Sequence, residues 1–417
     1  MWEELFRHSP SIERHRSAAL AEERLKYLRR LRDGGFSSST LRKHAADLLR
    51  LVGLLDLTGR RVVSVREVEE AATEWSRPGI LRYHRLASAR ERVAFVANSV
   101  RWLRLLGRLE ERGKPPRHPH TAEVAAFAAW ARRERGYAEA TVESCCEATD
   151  LFFDFLAESN TALGSVTIVD VDRAIAARSA RAELKRRTIG NYARRLKMFF
   201  RFAEDRRWCR PGIAAAITAP RIYVNEDVPA RLKREDVVRL LATTEGDRPV
   251  DKRDRAVLML LAVYGLRCGE LCGLQLDDID WEQETLRVRR PKTGRTHAYP
   301  LSRGVGQAIV RYLQDVRPPR PDRTLFLTLL APFRPLDPRL LNKIVRDRLR
   351  GLGIVTGRRG PHALRHAAAQ HLLDQGMAMK VIGDFLGHRS PSSTSVYAKV
   401  NLNALREVAS FDLEGLT

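Results

Sequence analysis

Residues 361–400 read PHALRHAAAQHLLDQGMAMKVIGDFLGHRSPSSTSVYAKV, and they offer His362, Arg365, His388 and Tyr397 to one site. The Gly360-Pro361 step suits a helix start, because proline at the first helical position gives up only an N–H that has no intrahelical partner. His362, Arg365 and His366 then share one face, with Ala and Leu residues filling the opposite side. Asp374-Gln375-Gly376 stops this helix, since glycine tolerates the left-handed conformation of a C-cap. A second helix is predicted from about Met379 to Leu386, ended by Gly387, which leaves His388 on a turn. Ser390-Pro391 reads as the cap and first residue of a third helix, with Tyr397 about two turns in.

The chemistry of these residues favours phosphate over metal. The fixed charge of Arg365 opposes a cation on the same face, whereas a guanidinium is a planar fork of donors suited to phosphate oxygens. Histidine beside it donates or moves a proton near neutral pH. A phenol added to this set suggests a nucleophile that splits one phosphoryl transfer into two reversible steps. The plainer readings are a zinc site of His362, His366 and His388, or a half-buried aromatic at Tyr397. The first lacks an HExxH glutamate. The second ignores the spacing of Tyr397 to the His and Arg group.

H-x-L-R-H, then L-G-H, then a tyrosine nine residues on resembles the C-terminal signature of the tyrosine recombinase, or phage integrase, family. The resemblance implies an upstream arginine in G-L-R-x-x-E-L-x-x-L and a lysine in a β-hairpin. Gly265-Leu266-Arg267-Cys268-Gly269-Glu270-Leu271 continues to Leu274, and Arg-Pro-Lys-Thr-Gly-Arg occupies 290–295. Five elements in the right order over about 130 residues carry far more weight than any one of them. Locally, TLRVRR, a turn at Lys292-Thr293-Gly294-Arg295, and THAYPL alternate as a hairpin. Its register is open by a residue or two around Arg290, Lys292 and Arg295.

The resemblance implies roles for these residues. Tyr397 attacks a scissile phosphate to give a 3′-phosphotyrosyl bond, Lys292 protonates the departing 5′ oxygen, and Arg267 and Arg365 hold the nonbridging oxygens. His362 accepts the tyrosine proton, His388 supports the phosphate, and Glu270 orients an arginine. No metal, nucleotide or other cofactor enters, and the bond energy is kept in the covalent link. The implied partners are double-stranded DNA, a tetramer on two duplexes, and other recombinases. The implied fold is mainly α and multidomain, with helical SAM-like core-binding modules before an α+β catalytic domain that carries a small β-hairpin sheet. A type IB topoisomerase and a DNA-binding accessory subunit are the competing classes.

Composition agrees with a nucleic-acid partner. A length of 417 residues gives a prior of about three domains, and 44% hydrophobic residues suffice for real cores. The formal charge of +23, from 74 Lys and Arg against 51 Asp and Glu, favours a polyanion, although an arginine-rich genome alone would raise it. Cys145, Cys146, Cys209, Cys268 and Cys272 form no CxxC pair or disulfide framework and read as small core residues in a reducing compartment. The N-terminus lacks an apolar leader, and no run approaches about 18 apolar residues, so neither secretion nor a membrane span is expected and the expected location is cytoplasmic.

Residues 1–116 read as a helical module ending near Pro115-Pro116, and the segment after it repeats it. Gly35, Phe36 and Thr40 correspond to Gly136, Tyr137 and Thr141; SVREVEEA echoes TIVDVDRA, and the helix around Trp102 echoes that around Phe199. Residues 117–221 resemble the family's core-binding domain, with Arg181, Lys185, Arg186, Arg187, Arg194, Arg195 and Lys197 as expected phosphate contacts. A solvated helix face is the plainer reading of that cluster. The first module resembles a divergent second copy, as in some transposon-borne integrases, for DNA or partner binding. Residues 222–234 form a proline-punctuated basic linker, and 235–417 the catalytic domain.

Overall fold

The computed structural model describes residues 1–57, 59, 61–76, 88–110, 118–182, 184–220, 232–290, 294–354 and 360–387; the side chains of Arg181, Ala182 and Arg295 are outside that description. The architecture is mainly helical, with one small antiparallel sheet. Helices α1 (Trp2–Leu5), α2 (Ser9–Ser17), α3 (Ala21–Asp33), α4 (Ser38–Leu54), α5 (Val65–Trp75) and α6 (Ala89–Leu105) form the first module. Its core gathers Leu28, Leu48, Leu51, Phe95 and Trp102, all without exposed surface. Local sequence explains the helix starts: Ser64 with Glu67 and Ser88 with Glu91 form reciprocal capping boxes.

The second module repeats this plan in α7 (Thr121–Arg133), α8 (Glu139–Glu158), α9 (Ile168–Ala182) and α10 (Arg186–Asp205), followed by the short α11 (Ile213–Ala216). Two local features recur between the modules. Gly35 and Gly136 both follow the leading helix at positive φ, +89° and +60°. At the start of α9, Thr167 and Asp170 stand where Ser64 and Glu67 cap α5, with the Thr167 N–H and hydroxyl donating to the Asp170 carboxylate at 2.9 and 2.7 Å. Trp102 and Phe199 occupy corresponding, fully buried positions. Aromatic rings fill this core: Phe153 meets Phe199 edge-on at 5.4 Å and Phe152 meets Phe200 at 5.3 Å.

The C-terminal domain comprises α12 (Arg234–Ala242), α13 (Pro249–Tyr264), α14 (Cys268–Cys272), strands β1 (Ile279–Asp280), β2 (Thr285–Arg290) and β3 (Arg295–Pro300), then α15 (Arg303–Asp315), α16 (Pro338–Gly351), α17 (Pro361–Asp374) and α18 (Met379–Leu386). The strands lie in the order β1-β2-β3, with Arg290 opposite Arg295 and Leu286 opposite Tyr299. This resolves the hairpin register: β2 turns Leu286, Val288 and Arg290 inward, and Arg287 and Arg289 outward. Apolar α13 runs through the core, and the Tyr264 hydroxyl at its end donates to Pro300 O at 2.8 Å, tying helix to sheet.

Residues 110–227 form one compact unit, and the first module and C-terminal domain together form another. Within the latter, the Phe333 N–H donates to Gly34 O at 3.1 Å and the Phe333 ring lies against Gly35, where a Cβ would come within 2.3 Å. Among the described residues, no helix is long and apolar enough to cross a membrane.

Charge is buried where α13 meets α16. Arg348 donates to Asp251 and Asp254, each at 2.8 Å, and to the Thr243 carbonyl at 2.7 Å. Removing the arginine takes one of two guanidinium partners from each buried carboxylate, since Asp251 keeps Arg248 and Asp254 keeps Arg253, so the loss is that of charged hydrogen bonds and not of a whole buried pair. Arg348→Met should therefore ease global opening of α13 by about 1.5–3 kcal/mol, read by hydrogen exchange and mass spectrometry; unchanged exchange would contradict the network. Arg248 first, and then Arg348, hold the Asp251 carboxyl below its ordinary value. A depressed folded pKa gives stability present above the unfolded pKa and lost as pH falls. The acid limb should accordingly begin below about pH 4, and it should be shallower in Arg348→Met.

Candidate active site

The Gly265-Leu266-Arg267 turn is built by the end of α13. Gly265 caps that helix in the left-handed region, φ +58°, and a Cβ there would meet Leu386 Cδ2 at 2.6 Å. Arg267 is then the N-cap of α14, and Glu270 returns to it: the Arg267 N–H donates to Glu270 Oε2 at 2.9 Å and its Nη1 to Oε1 at 2.7 Å. Glu270 is 5% exposed, and both its carboxylate oxygens accept from Arg267.

Arg365 departs from the simple helical-face reading. His362 is exposed and His366 half-buried, but Arg365 turns inward and is 5% exposed. Its Nη1 donates to Gly265 O at 2.5 Å and its Nη2 to Leu386 O at 2.6 Å. Arg267 Nη2 donates to the next carbonyl, Gly387 O, at 2.8 Å. The preceding carbonyl, Phe385 O, accepts from Arg290 Nη2 at 2.9 Å and from the Tyr299 hydroxyl at 2.6 Å. Three arginines from three elements thus converge on three successive carbonyls at the C-terminal end of α18. A helix end leaves those carbonyls without intrahelical donors and carries a partial negative charge, so guanidinium groups are matched to it.

Gly387 closes α18 at φ +64°, and a Cβ there would fall 0.8 Å from Arg290 Nη1. It is the residue before His388, so the arginine cluster fixes the backbone that enters the L-G-H motif. Lys292, His388 and Tyr397 lie outside the described residues, as does the third helix expected from Ser390. Three other potential nucleophiles of this domain are disfavoured: burial pushes the Cys272 thiol up to about 12, and burial also raises Cys268 and Tyr299.

The basic residues of the second module fall into distinct environments. Lys185 is the N-cap of α10, and Lys185, Arg186, Arg187 and Arg194 are exposed, whereas Arg195 and Lys197 are half-buried. Lys197 Nζ donates to Ile217 O at 3.2 Å and Ala215 O at 3.4 Å, so this amine also holds the end of α11. Arg181 is in α9, its side chain outside the described residues. Arg290 and Tyr299 are the site residues that motif reading missed; the signal was the inward register of TLRVRR, which points Arg290 the same way as Leu286 and Val288.

Two arginines held by a buried glutamate and by helix-end carbonyls, in a mainly helical domain with a three-stranded sheet, present guanidinium donors of the kind suited to phosphate oxygens. Residues 230–403 match the phage integrase family. An integrase/recombinase of Sinorhizobium fredii is 44% identical over 190 residues, 45% of this chain and 97% of that relative. A second from the same organism is 36% identical over 261 residues, and the chain spans 63% of its length. Tyrosine recombinase XerC of Mycobacterium tuberculosis is 32% identical over 271 residues, 61% of this chain and 86% of that one. The fold is shared with XerH recombinase bound to palindromic difH, at TM-score 0.56 and 18% identity over 72% of this chain and 98% of that one. It is shared also with the Tn1549 transposon integrase in complex with circular intermediate DNA, at TM-score 0.53 and 23% identity over 69% and 98%. The chain belongs to the phage integrase family of tyrosine recombinases. It is a site-specific DNA recombinase that cuts and rejoins DNA through a 3′-phosphotyrosyl intermediate.

Gly387→Ala should be costly for two separate reasons, the left-handed φ and the overlap with Arg290. The first alone is about 1–2 kcal/mol for a residue with a Cβ. Thermal unfolding of the variant should begin several degrees lower, and an unshifted transition would contradict the close packing of Arg290 on Gly387.

Proposed function

We propose that Arg267 and Arg365 clasp the nonbridging oxygens of the scissile phosphate while Tyr397 attacks phosphorus, with Lys292 protonating the departing 5′ oxygen. His362 receives the phenolic proton, and His388 donates to the phosphate. The bond from phosphorus to the 5′ oxygen breaks as the phosphotyrosyl bond forms, so no external energy source is required; attack by a partner strand's 5′-hydroxyl then reverses the step on the new strand. The observation that carries this reading is the convergence of Arg267 and Arg365, 98 positions apart in sequence, on the backbone immediately before His388. Donors fixed before charge develops are the ones that stabilise a transition state most.

We assign residues 235–417 to catalysis, 222–234 to a linker, 117–221 to a grip on the opposite face of the duplex, and 1–116 to a second module of the same type for DNA or a partner. Lys185, Arg186 and Arg187 at the start of α10 are suited to phosphate, because a helix N-terminus adds its partial positive charge to theirs. The assembly is a tetramer on two duplexes in the cytoplasm. Its biological programme is movement or resolution of a mobile element, in keeping with the transposon integrase whose fold it shares.

A nicked duplex that prevents religation tests the chemistry in the presence of EDTA. The native chain should give a covalent DNA adduct at Tyr397 by mass spectrometry, and Tyr397→Phe should give none while keeping its DNA affinity. An adduct elsewhere, or loss of binding in Tyr397→Phe, would contradict the assignment. Arg267→Ala should slow cleavage by about 10²–10³-fold and leave binding close to native; equal losses in both would make Arg267 a general phosphate contact. Arg187→Ala should weaken binding alike on all sequences and lower the salt slope by about one, and an unchanged slope would remove Arg187 from the interface.

A further inference from the structure

We infer that Arg290 is a positioning residue for the reaction, coupling the hairpin that carries Lys292 to the backbone that carries His388; this rests on the roles proposed above. The position is one where packing alone calls for an aliphatic side chain. It continues the inward series Leu286, Val288, and it is 3% exposed. Burying a guanidinium costs several kcal/mol unless its contacts return the loss. Among the described residues, the contacts meet at the end of α18. Arg290 donates to the Tyr299 hydroxyl on β3 and to Phe385 O at the end of α18, and Tyr299 donates to the same carbonyl. The Phe385 ring meets Tyr299 edge-on, at 5.2 Å and 82°.

The fit is mutual. Gly387 has no Cβ, and the space a Cβ would take is filled by Arg290 Nη1. One side of this contact is two residues before Lys292, and the other is one residue before His388. Arg267 and Arg365 grip the next two carbonyls of the same turn, and Arg290 sets the turn against the sheet. A shift of the sheet relative to α18 would separate the leaving-group acid from the phosphate, and catalytic geometry tolerates only fractions of an ångström. Arg290 touches neither substrate nor reacting atoms; it acts through Lys292 and His388.

The test separates leaving-group protonation from phosphate binding. Cleavage rates are measured for the native chain, Arg290→Met and Arg290→Lys on two nicked duplexes, one with the normal 5′ oxygen and one with sulfur in its place. A thiolate leaves without a proton, so the sulfur duplex does not need a placed acid. Arg290→Met should lose about tenfold or more on the oxygen duplex, regain most of it on the sulfur duplex, and bind DNA as the native chain does. Arg290→Lys keeps the charge and should lie between, and it carries the test if Arg290→Met fails to fold. Equal losses on both duplexes, following a lowered unfolding temperature, would make Arg290 a purely structural residue and overturn the inference. So would native rates in Arg290→Met. No adduct from the native chain on either duplex would instead overturn the reading of the site itself, and the inference with it.

Discussion

The last turn of α18 is the point on which the C-terminal domain depends. Its carbonyls at Phe385, Leu386 and Gly387 each accept a hydrogen bond from an arginine, and the three arginines belong to β2, to α17 and to the start of α14. Each of these elements has a reason of its own to be where it is: α17 packs on α13, β2 buries Leu286 and Val288, and α14 is capped by Arg267, two residues after the glycine that ends α13. The arginines convert that packing into a fixed array of cationic donors. Because the helix end is polar and negative, the array is stable before any phosphate arrives. Charge stabilisation then needs little reorganisation at the moment of reaction.

The two N-terminal modules solve a simpler problem. Each is a helical unit with its own core, one built on Trp102 and leucines and the other on a set of phenylalanines. The shared order of helices, the glycine turns at Gly35 and Gly136, and the caps at Ser64 and Thr167 indicate one architecture used twice. What differs is the helix start. The second module opens its last long helix with Lys185, Arg186 and Arg187 and no side-chain cap, whereas the first opens the corresponding helix with Ser88 and Glu91 in a capping box beside the exposed Arg90 and Arg92.

Local pattern made much of this legible. Proline and glycine punctuation located α17 and α18, alternation located the hairpin, and the spacing of Arg267, Arg365 and the L-G-H motif identified the family. The burial of Arg365 was not legible, because its helical face also carries His362 and His366, and periodicity treats all three as polar. Its partner Gly265 is 100 residues distant, and the contact from Arg267 to Gly387 spans 120, separations that no window of sequence reports. Lys197 shows the same limit in the second module: it stands in a basic row with Arg194 and Arg195, yet its amine reaches the Ile217 carbonyl. The inward turn of Arg290 was not legible either, because the hairpin register is open around Arg290, Lys292 and Arg295 in sequence. Only the register of β2 against β3, and the missing Cβ of Gly387, turn it inward.

In the proposed reaction Arg267 and Arg365 act on the charge of the phosphate. Replacing one nonbridging oxygen at the scissile position by a methyl group removes that charge and keeps the bond to be broken. Cleavage by Arg267→Ala and Arg365→Ala should be very slow on the natural duplex and largely restored on the neutral one, and Tyr397 should still be required. Restoration would mean that the arginines are needed for the charge they neutralise. If both variants fold and bind DNA but remain as slow on the neutral duplex as on the natural one, the arginines serve only to hold α18, and the account of the site is wrong.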